Sequence, residues 1–296
     1  MRPRIVEALD AAFGTSLFDS LVPTPATVYA LAMLATVVVL ARRSDRAGLE
    51  RHQVLGVAFW VMAGAIIGSR GFHLLQHWKE TLANPQEIVR LGGATASWGA
   101  YLGGALGLVL YCRRHRESAW RHADLLASAI GLTIAIGRWS CFLNGDDFGT
   151  PSELPWAVRF PHGSHPFAAQ ARANLISPLD EFSLPVHPVQ LYLSLNGLAL
   201  FGLVSWFWRR NRDNPGATCW TFWLAYSLSR FGLEFFRGDS GHRVLALSVG
   251  QAMCLLTAAA AAFGWWRRSD SNARPRDYET LALTTELRRH DVSLQV

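Results

Sequence analysis

Charge is scarce in this chain. Only 17% of its 296 residues are Asp, Glu, Lys or Arg, against roughly 25% in an ordinary soluble domain. Cysteine is also sparse: Cys112, Cys141, Cys219 and Cys254 lie far apart, with no C-x-x-C spacing. That excludes a disulfide framework and a zinc constellation of the usual spacing. No nucleotide-binding loop, no Ser-His-Asp order and no internal repeat stands out, and the missing repeat argues against a transporter built from two related halves. Residues 1–21 lack a basic start followed by an unbroken apolar core and a small-residue cleavage site, so no cleavable signal peptide is expected. The formal charge is +6, but the arginines gather at the ends of apolar runs. This places them beside anionic lipid headgroups, and no nucleic-acid partner is expected.

Apolar length is what the chain has in quantity. Half of it is hydrophobic, and it holds twelve Trp, a residue that favours membrane interfaces. About 20 mainly apolar residues cross the hydrocarbon core. Seven runs fit: 23–41, 54–75, 91–112, 123–143, 188–208, 217–236 and 244–266. The third carries Gly92, Gly93, Gly99, Gly103, Gly104 and Gly107, which suits close helix packing or a backbone that approaches a ligand. The expected fold is an all-α polytopic bundle of seven transmembrane helices. Arg42, Arg43, Arg46 and Arg51 follow the first run, and Arg113, Arg114, Arg116 and Arg121 separate the third from the fourth. Arg209, Arg210 and Arg212 follow the fifth, and Arg267 and Arg268 the seventh. Seven alternating spans bring all these ends to one side. The positive-inside rule then puts the N-terminus outside and the C-terminus in the cytoplasm of a bacterial inner membrane.

The expected organisation has three parts. Residues 1–22 form an outer N-terminal segment, where Ile5, Leu9, Phe13, Leu17 and Leu21 recur every four residues. This suits an interfacial helix or an ordinary packed end. Residues 23–268 form the membrane domain, with a small outer (periplasmic) head insert at 145–186. Residues 269–296 form a polar cytoplasmic tail with a short candidate helix at 277–289.

Charges inside apolar spans are costly and mark functional sites. Arg70, Arg138, Arg230 and Glu234 qualify, with Asp146, Asp147, Arg237 and Asp239 just beyond. Four residues separate Arg230 from Glu234, so they share a helical face. Their pairing either locks the bundle or aims Arg230 at an anion. Arg138 has no acidic residue three or four positions before it, so it requires a phosphate or a carboxylate from elsewhere. His73 and His77 follow Arg70; an interface pair suits them better than a metal site, and no metal is expected. Asn144 and the backbone near Gly145 and Gly149 suit either a phosphate-binding loop or a capped helix end.

The run GRWSCFLNGDDFG (137–149) resembles a motif of the prolipoprotein diacylglyceryl transferase family, in which G-R-x-G-N-F-x-N-G-E-x-x-G closes the fourth helix. GSRGFHLL (68–75), SWGAYLGG (97–104), HPVQLY (187–192) and YSLSRFGLEFFRGD (226–239) resemble further family segments, in the family's order. The resemblance implies a transferase that moves diacylglyceryl from phosphatidylglycerol to the lipobox cysteine of a preprolipoprotein, releasing glycerol phosphate. It implies no cofactor, and that a single chain suffices. By position, Arg138 and Arg230 would bind phosphate, Glu234 would orient Arg230, and Tyr226 would bond near the headgroup. Asn144, Gly149 and Asp146 (in place of Glu) would form the lipid-binding loop, with Arg70 and Arg237 completing the lipid site. His187 and Gln190 would set the start of the fifth helix.

Departures from the pattern are specific. Trp98 stands where the family has His or Tyr, and Cys141 where it has Asn. Ser140 replaces Gly, Leu193 replaces Glu, and Tyr29 lies one turn beyond the place of a family Tyr. The arginines are kept better than the groups that would handle a thiol. Two readings follow: an active but divergent transferase, or a lipid-binding relative with another acceptor or none. Tyr101, Asp146, Asp147 and His187 are the candidate bases.

Overall fold

The computed structural model describes residues 25–84, 86, 97–239, 243–244 and 247–273. Its helices are α1 (Pro25–Arg43), α2 (Arg51–Gln76), α3 (Trp78–Ala83), α4 (Ser97–His115), α5 (Ala119–Asn144), α6 (His165–Arg172), α7 (Val189–Arg210), α8 (Ala217–Leu233) and α9 (Val249–Ala273). Among the described residues, α2, α5, α7 and α9 are long and apolar enough to cross a membrane. α1, α4 and α8, at 19, 19 and 17 residues, correspond to the remaining apolar runs. Large apolar side chains point away from the bundle along these helices, among them Ile66, Ile67, Leu102, Leu195 and Leu256. An exposed apolar surface of that extent is a lipid-facing one.

α5 is the central helix and touches α1, α4, α7 and α8. Two devices fix its register. At its start, Asp124 reaches across to the first turn of α8 and accepts from the Gly216 amide at 2.5 Å and the Cys219 amide at 2.8 Å. These are amides a helix start leaves unsatisfied. At its end, Gly145 turns left-handed (φ +81°), and the Asp146 amide bonds back to the Cys141 carbonyl, a helix stop that favours glycine.

The glycine-rich run packs helix on helix. A Cβ on Gly103 would lie 2.1 Å from the Gly64 carbonyl oxygen of α2, and one on Gly99 2.2 Å from that of Gly68. Of the two uses the sequence leaves open for this run, its described part serves backbone contact between α2 and α4. Gly92, Gly93 and the Trp98 side chain lie outside the described residues, as do the N-terminal segment and residues 274–296.

Three boundaries differ from the hydropathy pattern. The seventh run was expected from Val244, but Arg243–Val244 (β1) pairs antiparallel with Leu247–Ser248 (β2), and α9 begins at Val249. A reciprocal cap sets that start: Ser248 Oγ accepts from the Gln251 amide at 3.1 Å, and Gln251 Oε1 from the Ser248 amide at 3.0 Å. The S-x-x-Q spacing was its local signal. The sixth run, expected as helix to Phe236, tightens into a 3-10 turn over Glu234–Phe236. Beyond the seventh run α9 continues to Ala273, five residues into the expected tail.

The insert after α5 is folded. Phe160, Phe167 and Val186 are buried, Phe160 packs edge-on against Phe142 of α5 with centroids 6.1 Å apart, and short bridges join Pro151 and Val158 to Val186. This head sits at the end of the bundle where α5 and α8 finish and α7 and α9 begin.

Candidate active site

At the head end, the loop after α5 lies beside the segment after α8. Gly149 bridges Arg237; the Thr150 amide donates to the Phe236 carbonyl and the Gly238 amide to that of Phe148, both at 2.9 Å. Glycine is required here. A Cβ on Gly149 would lie 2.4 Å from the His187 carbonyl oxygen, and one on Gly238 2.5 Å from that of Gly149.

This pairing sets Asp147, itself left-handed at φ +54°, between two arginines. Its Oδ2 takes Nη1 of Arg138, and its Oδ1 takes Nη2 of Arg237 at 2.6 Å. Arg237 also donates from Nε and Nη2 to Asp239, both at 2.9 Å. Its Nε lies 3.8 Å from Glu234 Oε2, and that same oxygen pairs with Nη1 of Arg230. A continuous chain of charge therefore runs Arg138–Asp147–Arg237–Glu234–Arg230. Three guanidinium groups meet three carboxylates, with side-chain exposures between 6% and 26%. Burial would raise the Asp147 carboxyl, but Arg237 and Arg138 outweigh it and hold it below the usual carboxylate range. Burial likewise works against the charge on Arg237, and Asp239 and Asp147 more than restore it.

Glu234 is held from three sides. Arg230 takes one oxygen, Ser248 Oγ lies 3.2 Å from the other, and Gly250 brings the first turn of α9 against the carboxylate. Of the two uses the sequence allows for this pair, the ion pair itself is present. Tyr226 lies one turn before Arg230 on α8; its hydroxyl is 3.5 Å from that of Tyr101 on α4, and its ring stacks on Phe222. Arg138 interacts electrostatically with Tyr226, Tyr101 and Cys141, and Cys141 Sγ lies 3.7 Å from the Tyr29 hydroxyl. Tyr29, Tyr101, Tyr226 and Cys141 thus lie around Arg138.

Other predicted residues take different places. Asn144 Nδ2 donates to Asp146 Oδ2 at 2.5 Å, and Asp146 Oδ1 lies 3.2 Å from His165 Nε2 of the head. The Asp146 carbonyl accepts from buried Gln190 at 2.7 Å, so Gln190 ties α7 to the loop. Asp146 therefore faces the head while its neighbour Asp147 faces the arginines. His187 Nδ1 lies 3.3 Å from the Tyr192 hydroxyl, and its ring packs on Phe236. Arg70 is half-buried near the end of α2. His73 and His77 lie ring to ring, with centroids 4.4 Å apart. Ser248 and Gly250 had not been singled out from the sequence. Their part depends on the β1–β2 hairpin, which brings sequence-distant groups to Glu234.

The described chain is thus a multi-pass membrane protein with a chain of buried arginines and carboxylates beside a small head. The sequence profile of the prolipoprotein diacylglyceryl transferase family matches residues 22–267, and the chain belongs to that family. It is a membrane transferase of lipoprotein biosynthesis. It is 35% identical over 225 residues to the phosphatidylglycerol–prolipoprotein diacylglyceryl transferase of Rhodospirillum rubrum, covering 73% of this chain and 76% of that protein. It is 33% identical over 257 residues to the enzyme of that name from Gloeobacter violaceus (83% and 91% covered). To that of Clostridium tetani it is 28% identical over 228 residues (77% and 86%).

Proposed function

We propose that this protein transfers the diacylglyceryl group of phosphatidylglycerol to the lipobox cysteine of preprolipoproteins. The observation that carries the reading is the arginine chain. Three largely buried guanidinium groups stand beside the head, each answered by a carboxylate. A lipid phosphate enters by replacing one of those carboxylates.

In the reaction, the cysteine sulfur bonds to the glyceryl carbon as that carbon's bond to the phosphate oxygen breaks. The electron pair leaves with the oxygen, so the phosphate passes from one negative charge to two and departs as glycerol phosphate. Arg138 and Arg230 stabilise that added charge, and preorganised cations are most effective where charge develops. Glu234 holds Arg230 in place, and Tyr226 bonds near the headgroup. Asn144, Asp146 and Gly149 shape the loop that receives the lipid, with Arg70 and Arg237 completing its anionic seat. A thiol near neutral pH is already partly ionised, and nearby arginines favour the thiolate. The thiol proton then leaves to solvent.

The same reading takes all seven apolar helices as spans of a bacterial inner membrane. The head and N-terminus lie outside, the C-terminus lies in the cytoplasm, and the chain works as a monomer. The division into 1–22, 23–268 and 269–296 belongs to it as well.

The test is transfer in vitro. Purified protein is incubated with phosphatidylglycerol and a lipobox peptide, and the mass gain on cysteine is followed for wild type, Arg138→Ala and Arg230→Ala. Transfer lost by orders of magnitude in both variants is the expected result. A folded, lipid-binding wild type that transfers nothing would refute it. Such an outcome would favour the relative with another acceptor that Trp98 and Cys141 suggest.

A further inference from the structure

A second cationic site lies at the opposite end of the bundle. There the turn after α1 (Asp45–Ala47), the start of α5, the end of α7 and the α7–α8 loop line an open cavity of about 630 Å³. Arg46, Arg121, Arg209, Arg210 and Arg212 line it, with Asp213 the one acidic residue among its lining. Five guanidinium groups against one carboxylate leave a formal excess of four positive charges.

The positive-inside rule explains why arginines lie at this end. It does not explain their convergence, because topology depends on their number and not on a shared cavity. Three sequence-distant segments bring these groups together, and contacts hold two of them in place. Arg212 donates to the Arg46 carbonyl at 3.1 Å and lies 4.9 Å over the Trp208 ring. Arg210 lies 4.4 Å over Trp206. Behind the cavity, Arg43 is tied to Ser128 and Ser205 at 2.8–3.0 Å and interacts with the charges of both Arg46 and Arg209. Asp213 answers one of these like charges, and the others repel one another unless a further anion sits among them. The half-exposed Trp206 beside the cavity marks headgroup depth, where Trp side chains settle. Planar guanidinium forks match phosphate oxygens.

We propose that this cavity is a second phosphate-binding site, separate from the transfer site, which seats the phosphate of an anionic phospholipid in the leaflet on that side. A free phosphate ester shares the same chemistry, and the test separates the two sources.

Full-length protein is placed in phosphatidylcholine nanodiscs with and without phosphatidylglycerol. Thermal unfolding and retained lipid, by native mass spectrometry, are measured for wild type, Arg138→Ala, Asp213→Asn and the triple variant Arg209→Gln/Arg210→Gln/Arg212→Gln. Phosphatidylglycerol should raise the unfolding temperature of wild type through both sites, and that of Arg138→Ala through this cavity. The triple variant should lose the part of that rise that Arg138→Ala keeps, and its cavity should bind about tenfold more weakly, one charge-assisted contact being worth at least that factor. Asp213→Asn, which removes the opposing carboxylate, should strengthen it. That variant keeps the test decisive if the triple variant fails to fold. Inorganic phosphate or glycerol phosphate added to phosphatidylcholine nanodiscs forms the second arm. Stabilisation there equal to that by lipid supports the anion site and assigns it to a free phosphate. A response to anionic lipid that is the same in wild type, Asp213→Asn and the triple variant overturns the proposal and leaves the arginines as topology determinants. Because Arg138→Ala removes only the head-end site, failure of the transferase reading leaves this result unaffected.

Discussion

Asp147 holds Arg138, the arginine proposed to receive the lipid phosphate, so replacing it with Asn should tighten lipid binding and not weaken it. Asn has nearly the same shape and tolerates the left-handed backbone at φ +54° as well as Asp does. The substitution therefore removes an anion and leaves the loop in place. Each oxygen of Asp147 serves a different arginine, with the carboxylate 26% exposed and Arg138 20% exposed. A hydrogen bond involving a charged group contributes about 1.5–3 kcal/mol. The lower end suits a pair that water still reaches, and about 1.4 kcal/mol is a factor of ten. The KM for phosphatidylglycerol should fall about tenfold in Asp147→Asn. Inhibition by glycerol phosphate should strengthen by a similar factor, and kcat should drop if product release becomes limiting. The assay is the transfer reaction over a range of phosphatidylglycerol, repeated with added glycerol phosphate. A KM that is unchanged or raised would show that Asp147 supports the arginines without competing for them, and would refute the displacement step.

Acid should act on the same carboxylate. Its folded pKa lies below the ordinary value, so its stabilisation is fully present above the unfolded value of about 3.9. It is lost as pH falls through the lower folded value. Thermal unfolding should show Asp147→Asn less stable than wild type at neutral pH, and the difference should close in strong acid. Breaking a buried ion pair costs about 3–5 kcal/mol, so Glu234→Gln should lower the unfolding temperature and cut transfer at least a hundredfold. Near-normal kcat in that variant would remove Glu234 from the site. Gly103→Ala would set a methyl 2.1 Å from the Gly64 carbonyl oxygen and should abolish well-folded protein in a size-exclusion assay. Gly71→Ala, with nothing within 4 Å, should be neutral or stabilise by up to about 1 kcal/mol.

Much of the site was legible because its signals are local. Arg230 and Glu234 share a helical face through a spacing of four. The absence of a helical partner for Arg138 required an anion from elsewhere, and the structure supplies Asp147. The two adjacent aspartates could not be told apart in the same way. Which one meets the arginines depends on the left-handed turns at Gly145 and Asp147 and on the pairing of residues 148–150 with 236–238. No local pattern encodes that pairing. Hydropathy alone places the start of the last helix at Val244, whereas the S-x-x-Q cap at 248–251 sets it at Val249.

Sequence by itself determined that this is a membrane protein, where its apolar runs lie and which ends are basic. Those properties follow from transfer free energies summed over neighbouring residues, so no partner is needed to express them. It also marked the arginines, because a charge within an apolar run is costly wherever the run packs. Tertiary structure decided what each charge meets. It set α4 backbone-to-backbone on α2, turned Asp147 and not Asp146 toward Arg138, and carried Ser248 and Gly250 to Glu234. It also gathered five arginines from distant segments into one cavity. These are contacts between residues remote in sequence, and only the folded path of the chain brings them within the few ångströms at which hydrogen bonds and ion pairs act.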